Sequence, residues 1–473
     1  MKKMAKVFAA VFLALCFMTT GVTAFAESKV SIYAYFNKVK LTINGKMTGT
    51  PTILFGDRTY LQLKAISEIF GAKLDWNGNT NTAALTNGGA KPSAVQGTPG
   101  PEAQKTVSVY IDRVKLTVDG KMTDIPTLLY DGRTYVQLAG AAKAFGAALE
   151  WDETTDTAAL TSPGPGEIVV AGKLFSLDAD FLELSHLEIK DINFVAQFRN
   201  LNNLYCWNNE ISDISPIAGL DKLYYIGFSD NKITNLSPIA NMKNLGEIFF
   251  ERNQIRDLRP IAGLDNLHGV YFSDNQISDI RPLENLYQLN NIHIDYNEIT
   301  DISPISRLTN LYSLNISNNQ ISSIAPVAGL RNLQYLSLGG NPIKDYSPLL
   351  MLNELNQLDV SSSSNFDLRY LANLKNLNSL ILCNSNITDI SLLGNITNLT
   401  YLVLQENKIT DVSALKNLTN LEYLHLDNNQ IKDINALKSL KNTQMITLSG
   451  NPLTQAQIDE LRRALPNCEI VFY

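Results

Sequence analysis

One segment recurs through most of the chain, and at residues 289–308 it reads LNNIHIDYNEITDISPISRL. Its central Asn returns at intervals of 22 residues or a multiple of 22. The positions that hold this Asn are Asn209, Asn231, Asn253, Asn275, Asn297, Asn319, Asn341, Asn407, Asn429 and Asn451, and Ser363 and Ser385 fill the gap. So strict a period indicates stacked copies of one supersecondary unit, so this part of the chain is predicted to be a solenoid.

The first half of each copy alternates apolar and polar residues as a short β-strand does. Leu333, Leu336 and Leu338 show the frame. Because successive strand side chains point to opposite faces, each strand has one face that only neighbouring copies can bury. The copies are therefore expected to stack as a parallel sheet with a spacing of about 4.8 Å. The Asn after each strand is expected to satisfy backbone groups of the turn that follows.

The second half of each copy predicts a short helical turn. In the segment Asp301-Ile302-Ser303-Pro304-Ile305, Ser is a favourable N-cap, and Pro suits the first helical position because its missing N–H is not needed there. One helical or 3-10 turn per repeat is therefore expected on the convex side, opposite a parallel sheet on the concave face.

The frame L-x-x-L-x-L-x-x-N resembles the leucine-rich repeat. Its 22-residue length and its D-I-S-P segment resemble the internalin group of these repeats, which is found in bacterial surface proteins. The resemblance covers residues 168–453 and implies an α/β solenoid that binds a partner. Residues 454–473 are predicted to cap the array, with a capping box at Thr454 and Gln457 and a last strand from Cys468.

The N-terminus has the pattern of an export signal. Basic residues precede an apolar run over residues 7–18, and Ala24-Phe25-Ala26 is a small-x-small cleavage site. Residues 1–26 are therefore predicted to be a signal peptide, and the mature protein to be secreted or attached to the cell surface. The apolar run is too short for a membrane span, and no second one follows, so no membrane span is expected after signal removal.

Between the signal and the solenoid, a second repeat has an offset of 75 residues. Arg58-Thr59-Tyr60 returns at Arg133-Thr134-Tyr135, and Phe70-Gly71-Ala72 returns at Phe145-Gly146-Ala147. Two small α+β domains are therefore predicted at residues 30–86 and 105–161, with a linker at 87–104 and a hinge at 162–167. Each is expected to contain a hairpin turn, at Asn44-Gly45 and at Asp119-Gly120.

Both copies resemble the copper amine oxidase N-terminal domain, a stalk module of exported bacterial proteins. The match rests on the two segments just quoted, and on Trp76 and Trp151, which follow them at the same spacing. The resemblance implies no redox chemistry, because the copper ligands and redox tyrosine of those oxidases belong to a different domain.

Composition and motifs argue against several function classes. The net charge is −7 and the pI about 5.3, which disfavours nucleic-acid binding. The four His residues fall in separate repeats, at no spacing that metals favour. Phosphate-binding glycine loops and nucleophile elbows are absent from the sequence. The chain is therefore expected not to be an enzyme and to need no cofactor or metal.

Positions that point outward from the strands are not constrained by the core of the repeat, so their residue types indicate what the surface binds. Aromatic and acidic residues are concentrated there, and tyrosine and tryptophan dominate binding hot spots. The predicted ligand-binding residues are Tyr205, Trp207, Tyr225, Glu247, Phe249, Glu251, Tyr271, Asp274, His293 and Tyr296. The alternative is that aromatic residues merely suit strand positions and cross-strand stacking.

Two functions fit this surface. An adhesin would grip a protein ligand through aromatic anchors, with acidic neighbours that favour a basic partner. A cell-envelope glycan binder would stack sugar rings on the same side chains, while the stalk modules hold it near the wall. Charge-steered protein recognition weakens with ionic strength, whereas glycan stacking resists salt.

Overall fold

The computed structural model describes residues 30–44, 46–77, 80, 82–86, 103–118 and 121–473. The signal peptide, most of the linker, Gly45 of the first predicted hairpin turn and the whole of the second, Asp119-Gly120, lie outside the described residues. The chain divides into two compact units that meet between Ser176 and Leu177. In the described part of the chain, no helix is long and apolar enough to cross a lipid bilayer.

The first unit contains both α+β copies. Its strands are β1 (Val30–Phe36), β2 (Lys40–Ile43), β3 (Lys46–Met47), β4 (Thr52–Phe55), β5 (Arg58–Gln62), β6 (Lys73–Asn77), β7 (Thr82–Thr86), β8 (Ala103–Ile111), β9 (Lys115–Val118), β10 (Lys121–Thr123), β11 (Thr127–Tyr130), β12 (Arg133–Gln137), β13 (Ala148–Asp152) and β14 (Thr157–Thr161). Helix α1 (Leu63–Ile69) follows β5, and α2 (Leu138–Ala144) follows β12. The element order of the first copy is thus repeated in the second.

The two copies exchange strands instead of folding side by side. Strands β1, β4, β5, β12, β11 and β8 close a barrel that draws three strands from each copy. Strand β2 of the first copy pairs in parallel with β14 of the second, and β7 pairs in parallel with β9. The predicted copies are both present, but they share their sheets and are not independent modules.

A shared core explains why the copies combine. Leu41 and Leu85 of the first copy are buried in one apolar cluster with Leu116 and Leu160 of the second. The rings of Phe70 and Phe145, which follow the two helices, stack with centroids 4.5 Å apart and planes 12° apart. A copy of this size alone has little core, so joining two copies buries apolar surface that either would leave exposed.

The predicted start of the solenoid, residue 168, is too early. Strands β15 (Glu167–Val170) and β16 (Lys173–Ser176) form a hairpin within the first unit. The backbone N–H of Leu149, on β13, donates to the carbonyl of Gly172 in the hairpin turn at 3.0 Å. Local pairing therefore binds these residues to the first unit.

The second unit is the predicted leucine-rich repeat solenoid, which the structure confirms. Its sheet has fourteen parallel strands in chain order. They are β17 (Phe181–Glu183), β18 (Asn203–Tyr205), β19 (Tyr225–Gly227), β20 (Glu247–Phe249), β21 (Gly269–Tyr271), β22 (Asn291–His293), β23 (Ser313–Asn315), β24 (Tyr335–Ser337), β25 (Gln357–Asp359), β26 (Ser379–Ile381), β27 (Tyr401–Val403), β28 (Tyr423–His425), β29 (Met445–Thr447) and β30 (Glu469–Val471). Partner residues from β17 to β29 are 22 apart, as in the pair Tyr225 and Glu247.

Short 3-10 turns lie on the opposite side of each repeat. They cover Asn193–Gln197, Ser215–Ile217, Ser237–Ile239, Arg259–Ile261, Arg281–Leu283, Ser303–Arg307, Ala325–Gly329, Ser347–Met351, Leu368–Leu371, Ser391–Asn395, Ser413–Asn417 and Asn435–Ser439. The expected Ser N-cap is wrong in detail. In the repeat at Asp301, the carboxylate accepts the backbone N–H and the hydroxyl of Ser303, each at 2.8 Å. The N-cap position is held by Ile302, whose side chain makes no capping bond, so Asp301 one residue earlier satisfies the first N–H, and Ser303 is the first residue of the turn.

The C-terminal cap closes the open end of the core. Thr454 is the N-cap of helix α3 (Gln455–Ala464), and its capping box with Gln457 is present. The helix buries Ile458 and Leu461, and the last strand pairs in parallel with β29. The end of the array therefore covers apolar side chains that a free repeat would expose.

Candidate functional site

The periodic asparagines tie each repeat to the one before it. In Asn231, the side-chain Oδ1 accepts the backbone N–H of Ile211 at 2.9 Å, and Nδ2 donates to the carbonyls of Cys206 at 2.8 Å and Phe228 at 3.0 Å. The ten asparagines are only 5% to 9% exposed. Since buried backbone groups need partners, this ladder holds the strand ends in register. The concave face is thereby a fixed platform.

A second asparagine row lies at the surface and was missed in the sequence. Asn244 Nδ2 donates to the carbonyl of Asp221 at 2.6 Å, and Asn266 Nδ2 donates to that of Lys243 at 2.8 Å. The same bond recurs at Asn310, Asn332, Asn376, Asn398, Asn420 and Asn442. The Asn-Leu dipeptide that precedes most of these strands was the available signal, although Asn442 is followed by Thr443.

Six ring side chains form a continuous row of ring contacts on the concave face, here named the aromatic ladder; two of the five contacts are stacked, and the others are tilted or edge-on. In order they are Phe181, Tyr205, Tyr225, Phe249, Tyr271 and His293, and successive centroids lie 5.2, 4.7, 4.7, 4.1 and 4.9 Å apart. The Phe249 and Tyr271 planes are 5° apart, a stacked geometry. Phe181 was not among the predicted residues, because the repeat pattern loosens at the first strand.

Trp207 extends the ladder sideways and depends on a glycine. Its ring meets Tyr205 edge-on with centroids 5.3 Å apart. A Cβ atom added to Gly227 on the next strand would lie 2.0 Å from the indole Nε1, so the indole covers that glycine. Its N–H is buried and has no hydrogen-bond partner among the described residues. The missing side chain at Gly227 therefore positions Trp207.

Acidic side chains lie beside the rings. Glu247 and Glu251 flank Phe249 along the chain, and the Ser229 hydroxyl donates to Glu251. Burial raises the pKa of Glu251, and burial likewise lowers the pKa of His293, which favours a neutral imidazole. Arg252, the nearby cation, is bound in an ion pair with Asp230. The face around the ladder is therefore acidic.

Two of the predicted residues lie at the rim of the sheet. Asp274 and Tyr296 occupy the turn after their strands, with φ of 56° and 51°. Tyr296 is 59% exposed. Of the other eight predicted residues, six lie on the strands, and Trp207 and Glu251 lie two positions beyond a strand end. Left-handed backbone recurs at the residue before the Asn ladder, which accounts for the Asn, Asp and Gly found there.

The described residues show no arrangement for catalysis by a metal. No group of three or more His, Cys, Asp or Glu side chains in the described ranges comes close enough to hold a metal ion. The concave face presents rings and carboxylates on a parallel sheet whose strand ends are held in register by the Asn ladder.

Comparison with known proteins decides the family. Profiles for leucine-rich repeats match residues 199–241, 287–343, 375–417 and 397–442. Internalin InlF from Listeria monocytogenes is 31% identical, with 63% of this chain and 89% of that chain covered and a TM-score of 0.57. The chain belongs to the internalin-like leucine-rich repeat proteins.

Further comparisons concern both units of this internalin-like protein. Internalin C2 from Listeria monocytogenes is 31% identical over 41% of this chain and 87% of that one, with a TM-score of 0.39. A leucine-rich repeat protein of Leptospira interrogans is 25% identical over 59% and 69%, with a TM-score of 0.45. The copper amine oxidase N-terminal domain profile matches residues 19–85. No curated protein sequence matches the chain.

Proposed function

We propose that this internalin-like protein is exported and binds a protein ligand on the N-terminal half of its concave face. The aromatic ladder is the observation that carries the proposal. Its rings are half-buried, held by one another and by the Asn ladder, and they form a contiguous surface. Rigid aromatic anchors of this kind contribute most of the binding energy in protein interfaces.

Charge supports a basic partner. Glu247 and Glu251 adjoin the rings, and Arg252 is already paired with Asp230. A cationic patch on the ligand would therefore meet the carboxylates of Glu247 and Glu251 beside the ladder. Such steering raises the association rate and weakens as salt increases.

Export and surface location are supported by the family and by the N-terminal sequence. Basic residues, an apolar run and the Ala24-Phe25-Ala26 site suit a signal peptide. In this proposal the first unit serves as a stalk module. Binding of the ligand by the solenoid attaches the protein to the surface that carries this ligand.

The alternative ligand is a cell-envelope glycan stacked on the same rings. A glycan would remain bound after protease treatment of the target surface and at high ionic strength. A protein partner would be lost under the first condition and weakened under the second.

The test is capture of partners from host-cell and bacterial-wall extracts by the mature chain. It is compared with a ladder variant carrying Trp207→Ala, Tyr225→Ala, Phe249→Ala and Tyr271→Ala. A matched control carries Tyr335→Ala, Tyr401→Ala, Tyr423→Ala and His425→Ala on the C-terminal strands. A partner bound by the parent and the control, and lost by a ladder variant that still melts cooperatively, is expected. Equal capture by all three proteins would place the site elsewhere.

A further inference from the structure

A groove lies outside the concave face, at the edge of the sheet where strands β18 to β21 begin. It is named here the flank groove, and its accessible volume is about 500 Å³. Its lining includes Asn200, Lys222, Tyr224, Asn244, Asn266 and His268. They come from four successive repeats, which span roughly 14 Å at about 4.8 Å per strand. None of them was assigned a role from the sequence.

Tyr224 owes its position to a glycine in the next repeat. A Cβ atom added to Gly246 would lie 2.2 Å from two atoms of the Tyr224 ring. The ring therefore lies against the Gly246 backbone, and it remains 41% exposed. Among the described residues it stacks on no other ring, and its hydroxyl has no hydrogen-bond partner. Tyr224 is thus a fixed aromatic surface that the fold leaves unoccupied.

The polar lining of the groove is also fixed. Lys222 Nζ donates to Asn200 Oδ1 at 2.8 Å. The Nδ2 groups of Asn244 and Asn266 are fixed by the backbone carbonyls to which they donate in the second asparagine row. The Oδ1 atoms of Asn244 and Asn266 accept no bond from the described residues. They are therefore preorganised acceptors.

His268 adds a polar atom that lacks a partner. Its Nδ1 is buried and makes no hydrogen bond within the described residues. Buried polar atoms in native proteins are nearly always satisfied by protein, water or ligand. Nδ1 itself has almost no accessible surface, so a ligand in the groove would contact the accessible part of the imidazole and not this atom.

We propose that the flank groove binds a neutral saccharide. A sugar presents hydroxyl donors to the Asn acceptors and an apolar ring face to Tyr224. Phosphate ligands are disfavoured, because the lining holds a single lysine, Lys222, and no arginine to form a bidentate contact. A metal ion is disfavoured because no carboxylate lines the groove. The inference is independent of the proposed concave-face ligand.

A tyrosine at the equivalent position elsewhere provides a matched control. Tyr312 also directly precedes a strand, but its ring packs against Tyr335 with centroids 4.9 Å apart. It is therefore engaged by its neighbour, whereas Tyr224 has no such contact. Replacing Tyr312 removes a similar side chain without touching the flank groove.

The experiment is a titration of the mature chain with three probes, followed by saturation-transfer NMR and calorimetry. The probes are the tetramer of β-1,4-linked N-acetylglucosamine, maltotetraose and xylotetraose. Binding of at least one is expected, and Tyr224→Ala should weaken it about tenfold or more, as the loss of an aromatic anchor does. Tyr224→Phe should bind like the parent, because it keeps the ring, and so should Tyr312→Ala.

Other outcomes would overturn the inference. Absence of binding for all three probes would do so, and so would equal affinities of Tyr224→Ala and the parent. Loss of saccharide binding in the ladder variant, with Tyr224→Ala unaffected, would assign the sugar to the concave face. Conversely, loss of a protein partner in the ladder variant while saccharide binding persists would support two separate sites.

Discussion

The hydroxyl of Tyr346 donates a 2.7 Å hydrogen bond to the Oγ of Ser363, and both residues are almost fully buried. Ser363 stands where the Asn ladder is interrupted. Tyr346 stands where the neighbouring repeats have Ile302 and Ile324. A larger side chain on one repeat thus accompanies a smaller one on the next, and the pair keeps a polar contact where the ladder amide is missing.

Tyr346→Phe is expected to destabilise the solenoid by about 1 to 3 kcal/mol, because it removes one partner of a buried hydrogen bond. Urea unfolding followed by circular dichroism measures the change. Tyr370→Phe, a nearby partly exposed tyrosine without a hydrogen bond among the described residues, is the control. A midpoint for Tyr346→Phe equal to that of the parent would contradict the role given to the bond.

Tyr346→Ile combined with Ser363→Asn is expected to rebuild a standard repeat. Each single change should destabilise, since Ile leaves a void and Asn has no room beside the tyrosine ring. The double variant should be more stable than the sum of the single changes predicts. A double-mutant cycle by urea unfolding measures this coupling. Strictly additive changes in the free energy of unfolding would show that Tyr346 and Ser363 do not compensate for each other.

Glu251 is expected to make stability fall as pH rises. Burial raises its folded pKa above the ordinary value, so its contribution is present below that ordinary value and is lost as pH rises through the folded pKa. The urea midpoint of the parent, measured relative to that of Glu251→Gln, should therefore decrease as the pH is raised from about 4 to about 7. The exposed Glu298→Gln is the control. A pH-independent difference would show that Glu251 does not titrate in this way.

Gly227→Ala is expected to displace Trp207, because the new Cβ atom would occupy the space of the indole Nε1. In a background with Trp76→Phe and Trp151→Phe, the emission of Trp207 should shift to longer wavelength as the indole gains water. Gly329→Ala, where the nearest atom to a new Cβ lies at 3.5 Å, is the control. An unchanged spectrum would mean that the indole does not depend on Gly227.

The first α+β copy alone, residues 27–90, is expected to form a homodimer. In the whole chain its β2 pairs with β14 and its β7 with β9, so an isolated copy has unpaired strand edges. A second molecule offers equivalent strands, as in domain swapping. Light scattering coupled to size exclusion measures the mass. A folded monomer would show that strand exchange is not needed.

The sequence by itself determined the solenoid. The 22-residue period fixed which strands are neighbours, because each repeat contacts only the repeats beside it, and the Asn, Pro and Thr454 signals are local. Most of the predicted concave residues followed from strand alternation alone. Asp274 and Tyr296 did not, because the left-handed turn that removes them from the sheet face depends on backbone geometry.

Only the tertiary structure decided the rest. The 75-residue offset identified two copies, but equivalent strands of two similar copies can pair within or between them. The shared core around Leu41 and Leu116 selects the exchange. The flank groove likewise arises where Tyr224, Gly246 and His268 of successive repeats meet. Sequence periodicity gives the position of a residue within its repeat. The empty volume beside that residue depends on the side-chain volumes in the neighbouring repeats.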